Sequence, residues 1–173
     1  MVRLFVAVLA FIFAGQSAYA AEDAIESAVS AAPASLAKNA TIKDWDGNIL
    51  RSGSNGWTCF PDVPGNGGND PWCVDASWLN LLDALKKGKA PTYDKLGIAY
   101  MLAGDAPVSN ITPKGKKEDG DWVEGLKAHL MIVAPDHSLF DNISTDPNNG
   151  GPWIMWPNTP YAHIMVPIDS YPN

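Results

Sequence analysis

The sequence predicts an α+β domain with a mainly antiparallel sheet and a helix packed on one face. Three observations carry that prediction. A helical repeat around residues 71–87 is followed by short apolar segments with strand character rather than by further helices. Asp46-Gly47 and Pro157-Asn158-Thr159-Pro160 each join two such segments by a short link, which suits hairpins better than parallel crossovers. The two cysteines, Cys59 and Cys73, bracket a loop too rich in Gly, Pro and Asn to order itself without a staple.

Element by element, the first twenty residues read as an export signal. Arg3 supplies the positive start, Leu4 to Ala14 an apolar run, and Ala18-Tyr19-Ala20 a small-x-small cleavage site. The run is shorter than the roughly 20 residues of a membrane span. Residues 21–173 then form one globular domain, with no membrane span after signal cleavage. In it, Glu22 to Ala32 has Ile25 and Val29 one turn apart, acids in the first turn, and Pro33 as a stop. Thr41–Trp45 and Ile49–Arg51 read as strands joined at Asp46-Gly47, a strong hairpin signal. Trp57–Phe60 adds another strand.

Asp70-Pro71 has the chemistry of a helix start, and Trp78, Leu79, Leu82 and Leu85 continue at helical spacing to Gly88. Leu96–Leu102 reads as a buried strand and 104–121 as a polar loop. Strands follow at Leu126–Val133, Trp153–Trp156 and Tyr161–Val166, with a turn of helix near Asp136–Phe140. An exported chain favours a Cys59–Cys73 disulfide, closing a loop of about 15 residues.

The formal net charge is −7, and losing Arg3 with the signal makes the chain one unit more acidic. That balance argues against a nucleic-acid partner or an anionic lipid surface. The lysines near 86–89 and 114–117 read as a helix end and a solvated loop.

The candidate site rests on a near-repeat, Ala128-His129-Leu130-Met131 and Ala162-His163-Ile164-Met165. In a strand, residues i and i+2 share a face, so each His lies beside its Met. His129, Met131, His163 and Met165 would offer imidazole and thioether ligands suited to copper if their strands were neighbours. Trp153-Ile154-Met155 has the same parity with Trp in place of His, which favours one shared sheet face over a dedicated metal site. Tyr161 and Trp153 join the two histidines as candidate contacts for a small ligand.

A His-dependent, hydrolase-like enzyme is the competing class, since imidazole titrates near neutrality. Neither a nucleophile elbow nor a spaced carboxylate pair accompanies it, for Asp75, Asp105 and Asp169 are scattered. Seven tryptophans suggest a third class, a glycan-binding or envelope interaction module. Trp57, Trp72, Trp153 and Trp156 border Asn/Gly-rich loops and suit sugar stacking, whereas Trp45 and Trp78 read as core. Asp44 to Asn48 lacks the glycine position and terminal Glu of a calcium loop, and reads as a hairpin turn.

The segments Asn55-Gly56-Trp57-Thr58-Cys59, Asp70-Pro71-Trp72-Cys73 and Gly151-Pro152-Trp153 through Thr159-Pro160-Tyr161-Ala162-His163-Ile164-Met165-Val166-Pro167 resemble a family of uncharacterised exported bacterial proteins. The resemblance implies a bacterial, periplasmic location. It carries no activity, cofactor or catalytic residue.

Overall fold

The computed structural model describes residues 20–168, so the expected signal lies outside the described residues except for Ala20. The chain forms a single α+β domain built on an eight-stranded, mainly antiparallel sheet. A helix, α1, covers residues 20–30, and the short α2 (Ala34–Ala37) follows Pro33. The strands are β1 (Thr41–Lys43), β2 (Ile49–Arg51), β3 (Thr58–Phe60), β4 (Trp72–Val74) and β5 (Gly97–Met101). After them come β6 (Val108–Ser109), β7 (Trp122–Val123), β8 (His129–Val133), β9 (Trp153–Met155) and β10 (His163–Pro167). The sheet order is β2-β1-β3-β4-β5-β8-β10-β9, with β6 and β7 in a separate pair.

The β1–β2 hairpin forms where Asp-Gly predicts it. Asp44 accepts from the Asn48 backbone and side-chain amides, and Gly47 takes φ +95°, which closes the turn. β3 lies parallel to β1, whereas the other adjacent strands of this sheet pair antiparallel.

The predicted helix start at Asp70-Pro71 is corrected. Trp72–Val74 is a strand, and α3 spans Ala76–Lys86. Asp75, not Asp70, caps it: Oδ1 accepts from Trp78 N–H at 3.0 Å and Oδ2 from Ile98 N–H at 2.8 Å, which fastens the helix start to β5. The helix ends before Gly88, as predicted, with that residue at φ +65°.

Cys59 and Cys73 face each other in the β3–β4 ladder and are disulfide-bonded. The bond therefore joins two strands rather than a strand to the helix. Both cysteines are fully buried. Replacing both by alanine is expected to lower the unfolding free energy by about 3 kcal/mol, because the unfolded chain regains the freedom of a loop of roughly 15 residues. Urea unfolding of the oxidised wild type and the double variant measures the difference.

Alternation along the strands assigns two faces. On one, Val74, Ala99, Met101, Met131, Val133, Trp153, Met155 and Met165 pack under Trp78 and Leu81 of α3. On the other, α1 and the turn that follows it cover Ile42, Cys59 and Cys73 through Ala28 and Ala31. The domain thus carries a helix on each face of the sheet, the expected N-terminal helix covering the face opposite α3. β5 is central but not buried throughout, for Ile98 points away from α3 and is half exposed. The expected polar loop at 104–121 contains β6, which pairs with β7, and is fastened to β9 through buried Asn110: its Oδ1 accepts from Trp153 Nε1 and its carbonyl from Trp156 N–H. Among the described residues no helix is long and apolar enough to cross a membrane.

Candidate functional site

β8 and β10 are antiparallel neighbours, the arrangement in which the two His-x-Met segments had a chance to converge. The register separates them instead. Met131 lies opposite Met165, while His129 lies opposite Pro167 and His163 opposite Met155 of β9. The histidines therefore occupy opposite ends of the ladder, about 13 Å apart along the strand direction at about 3.3 Å per residue. The structure brings the two methionines together and holds the two imidazoles apart. Among the described residues, no group of three or more His, Cys, Asp or Glu is arranged to hold a metal ion.

All four side chains are buried, and each His makes a local bond that sets its tautomer. Nδ1 of His129 lies 2.6 Å from the Lys127 carbonyl and Nδ1 of His163 lies 2.9 Å from the Tyr161 carbonyl. A carbonyl only accepts, so Nδ1 carries the proton and Nε2 presents its lone pair. Neither Nε2 has a hydrogen-bond partner. The His163 ring sits between the Trp78 and Trp156 rings, at 5.2 and 4.9 Å and edge-on to both. Burial pushes its pKa down to about 4 and also lowers that of His129. At neutral pH both are uncharged core groups.

The other predicted contacts are buried as well. Trp153 is fully buried, and the Tyr161 hydroxyl donates to the Lys89 carbonyl at 2.8 Å.

Next to His129 lies Asp105, which the sequence offers only as one of several scattered carboxylates. Asp105 Oδ2 is 3.7 Å from His129 Nε2, too long for a hydrogen bond. Burial, reinforced by the charge of Asp70, pushes Asp105 up to about 8. Asp105 is therefore mostly protonated at pH 7 and faces a neutral imidazole, so the contact is not an ion pair. Nothing in the order of the residues announces this, because Asp70, Asp105 and His129 lie on three separate segments.

Concavities occur elsewhere. His137, the partly exposed histidine, begins a 3-10 turn (His137–Phe140) and borders two clefts of about 580 and 340 Å³. The carboxylate beside it is already engaged, since Asp136 caps the turn by accepting from Ser138 N–H, and hydrogen bonding from the Ser138 side chain and backbone holds its pKa down. His137 stacks on Phe140 at 5.1 Å. No acid–base pair results.

The third cleft, about 350 Å³, lies between α3 and the β1–β2 hairpin. Trp45, read from the sequence as core, is 37 % exposed and forms one wall. Its ring stacks on Phe60 at 4.7 Å and meets the Trp72 ring edge-on at 6.3 Å, while Nε1 donates to the Pro61 carbonyl at 2.8 Å. These contacts set the ring's orientation. Leu79, Leu82 and Leu85 of α3 supply the apolar lining, with Lys43, Asp44, Asp83 and Lys86 around them. The signal was present in the sequence: Lys43-Asp44-Trp45-Asp46 puts an aromatic among charges at a hairpin tip. The leucine stripe of α3 serves both sides: Trp78, Leu81 and Ala84 are buried, while Leu79, Leu82 and Leu85 pack against the core and stay partly exposed toward the cleft.

No family model matches the chain, and no solved structure matches it. Over 95 residues it is 37 % identical to subunit 26 of the Mediator of RNA polymerase II transcription from Xenopus laevis. That stretch is 53 % of this chain, and the chain spans 15 % of the length of that protein. The likeness is confined to a segment and assigns neither family nor activity.

Proposed function

We propose that this is an exported, non-catalytic binding protein whose ligand lays a ring with a flat apolar face, a sugar ring in the first instance, on Trp45. The observation that carries this reading is the clamped, partly exposed indole beside a leucine-lined groove with lysines and aspartates around it. Aromatic faces take up apolar ring faces, and charged groups bond the hydroxyls around a sugar ring. The volume suits a small molecule. The buried disulfide supports an oxidising compartment and hence export. The burial of His129 and His163, each bonded to backbone, favours a structural role for both and moves the ligand site to the other side of α3's buried stripe.

The test is a titration with glucose, N-acetylglucosamine and cellobiose, with indole as an apolar comparison, followed by tryptophan fluorescence and calorimetry. Trp45→Ala is expected to weaken binding of the sugar that binds best by about 2 kcal/mol, roughly 30-fold, as the loss of a central aromatic anchor. A sugar bound equally well by Trp45→Ala, or no binding by any probe, would remove the reading.

A further inference from the structure

The loop between the disulfide-bonded cysteines is knotted around one carboxyl group. Asp70 Oδ1 accepts from Val63 N–H at 3.1 Å and Oδ2 from the Asn66 side-chain amide at 2.8 Å. Asp70 N–H in turn donates to Asp62 Oδ1 at 2.8 Å. The loop lies hard against residues 104–107. A Cβ on Gly68 would come within 2.4 Å of Ala106 Cα, and one on Gly104 within 3.4 Å of the Asn69 carbonyl. Asp105 sits at this junction, its side chain only 10 % exposed, with the unpartnered His129 Nε2 at 3.7 Å.

The titratable groups facing the junction are Asp62 and Asp70 from the loop, Asp105 from the segment after β5, and His129 from β8, which in turn acts on His163 of β10. Among the described residues no lysine or arginine forms an ion pair with any of these acids. Two nearly buried carboxyls without a cation repel once both are charged.

We infer that Asp70 and Asp105 form a proton-operated latch that holds the disulfide-closed loop against the sheet and releases it when the pair loses its last proton. Burial places Asp70 at about 6 and Asp105 at about 8, so both gain affinity for protons when the loop is docked. A raised acid stabilises the docked form at low pH, and that stabilisation is lost as pH rises to about 8. The loop also bears the Pro61 carbonyl that pins Trp45, and Asp62 N–H donates to Ser27 Oγ of α1. On the binding reading above, the latch therefore governs the orientation of the ring in the groove.

The test uses the ligand-free full chain, so its failure leaves the sugar titration untouched and the reverse also holds. Amide hydrogen exchange at Val63 and Asp70, corrected for the intrinsic pH dependence, reports loop opening. The opening constant is expected to rise about 50-fold from pH 6 to pH 8, as one proton is released on opening. Amides of the β8–β10 ladder keep their protection over that range. Asp105→Asn abolishes the rise, and Asp70→Asn, which removes the repelling partner, reduces it. Loop protection unchanged from pH 6 to pH 8 in the wild type would overturn the latch, as would the full rise in either variant that folds.

Discussion

Replacing Trp78 with alanine is expected to lower the unfolding free energy by about 3–5 kcal/mol, the range for emptying a buried aromatic site. Trp78 is fully buried at the centre of the α3 face of the sheet. Its Nε1 donates to the Met131 carbonyl at 3.2 Å, and its ring meets Trp72 at 6.0 Å and His163 at 5.2 Å. The residue thus joins helix, sheet and buried histidine through one side chain. A loss of that size is a large fraction of the roughly 5–15 kcal/mol that holds a domain together. Trp78→Phe retains most of the buried area and is expected to cost clearly less. Urea unfolding of both variants checks the prediction, and a loss below about 1 kcal/mol for Trp78→Ala would show that the centre collapses to fill the site.

The second large effect is a fall in stability on the alkaline side of neutrality. His163, with its folded pKa depressed to about 4, excludes a proton on folding and contributes stability that is lost as pH falls from about 6.5 towards 4. Asp70 and Asp105, with folded values raised to about 6 and about 8, act in the opposite sense. Their stabilisation is present at low pH and is lost as pH rises through those values. Between about pH 4 and 6 His163 offsets one of the two acids, and His129, whose pKa burial also lowers, works against the other. Above that only Asp105 still changes, and stability is expected to drop by about 2 kcal/mol between pH 6 and pH 8. Denaturant midpoints across pH 4–9 give the curve. Asp105→Asn should flatten its alkaline limb, and an alkaline limb unchanged in that variant would contradict the assignment.

Much of the fold was legible because local signals and long-range packing agree. The Asp46-Gly47 hairpin, the Gly88 stop and the parity of the last three strands each rest on neighbouring residues, and each appears in the structure. The shared face of His129, Met131, Trp153, His163 and Met165 follows from period-two alternation alone. The start of α3 was misplaced because Asp70-Pro71 carries cap chemistry while its carboxyl is used by the loop. Cys73 needs a strand beside Cys59, and that tertiary demand overrides the local signal.

The candidate site was less legible for related reasons. Parity places a residue on a face but says nothing of register, and the antiparallel register is what separates the two imidazoles. Trp45 was assigned to the core by residue type, although its hairpin tip sits among charges. The Asp70, Asp105 and His129 junction joins three distant segments, so only the folded chain assembles it.

The central claim is that ligand meets Trp45 and not the buried histidines. Indole Nε1–H resonances, followed while the sugar that binds best is added, test it directly. The account predicts that the Trp45 resonance shifts with ligand while those of Trp78, Trp153 and Trp156 hold their positions. Shifts centred on Trp153, Trp156 and the rings of His129 and His163, with Trp45 unmoved, would contradict it.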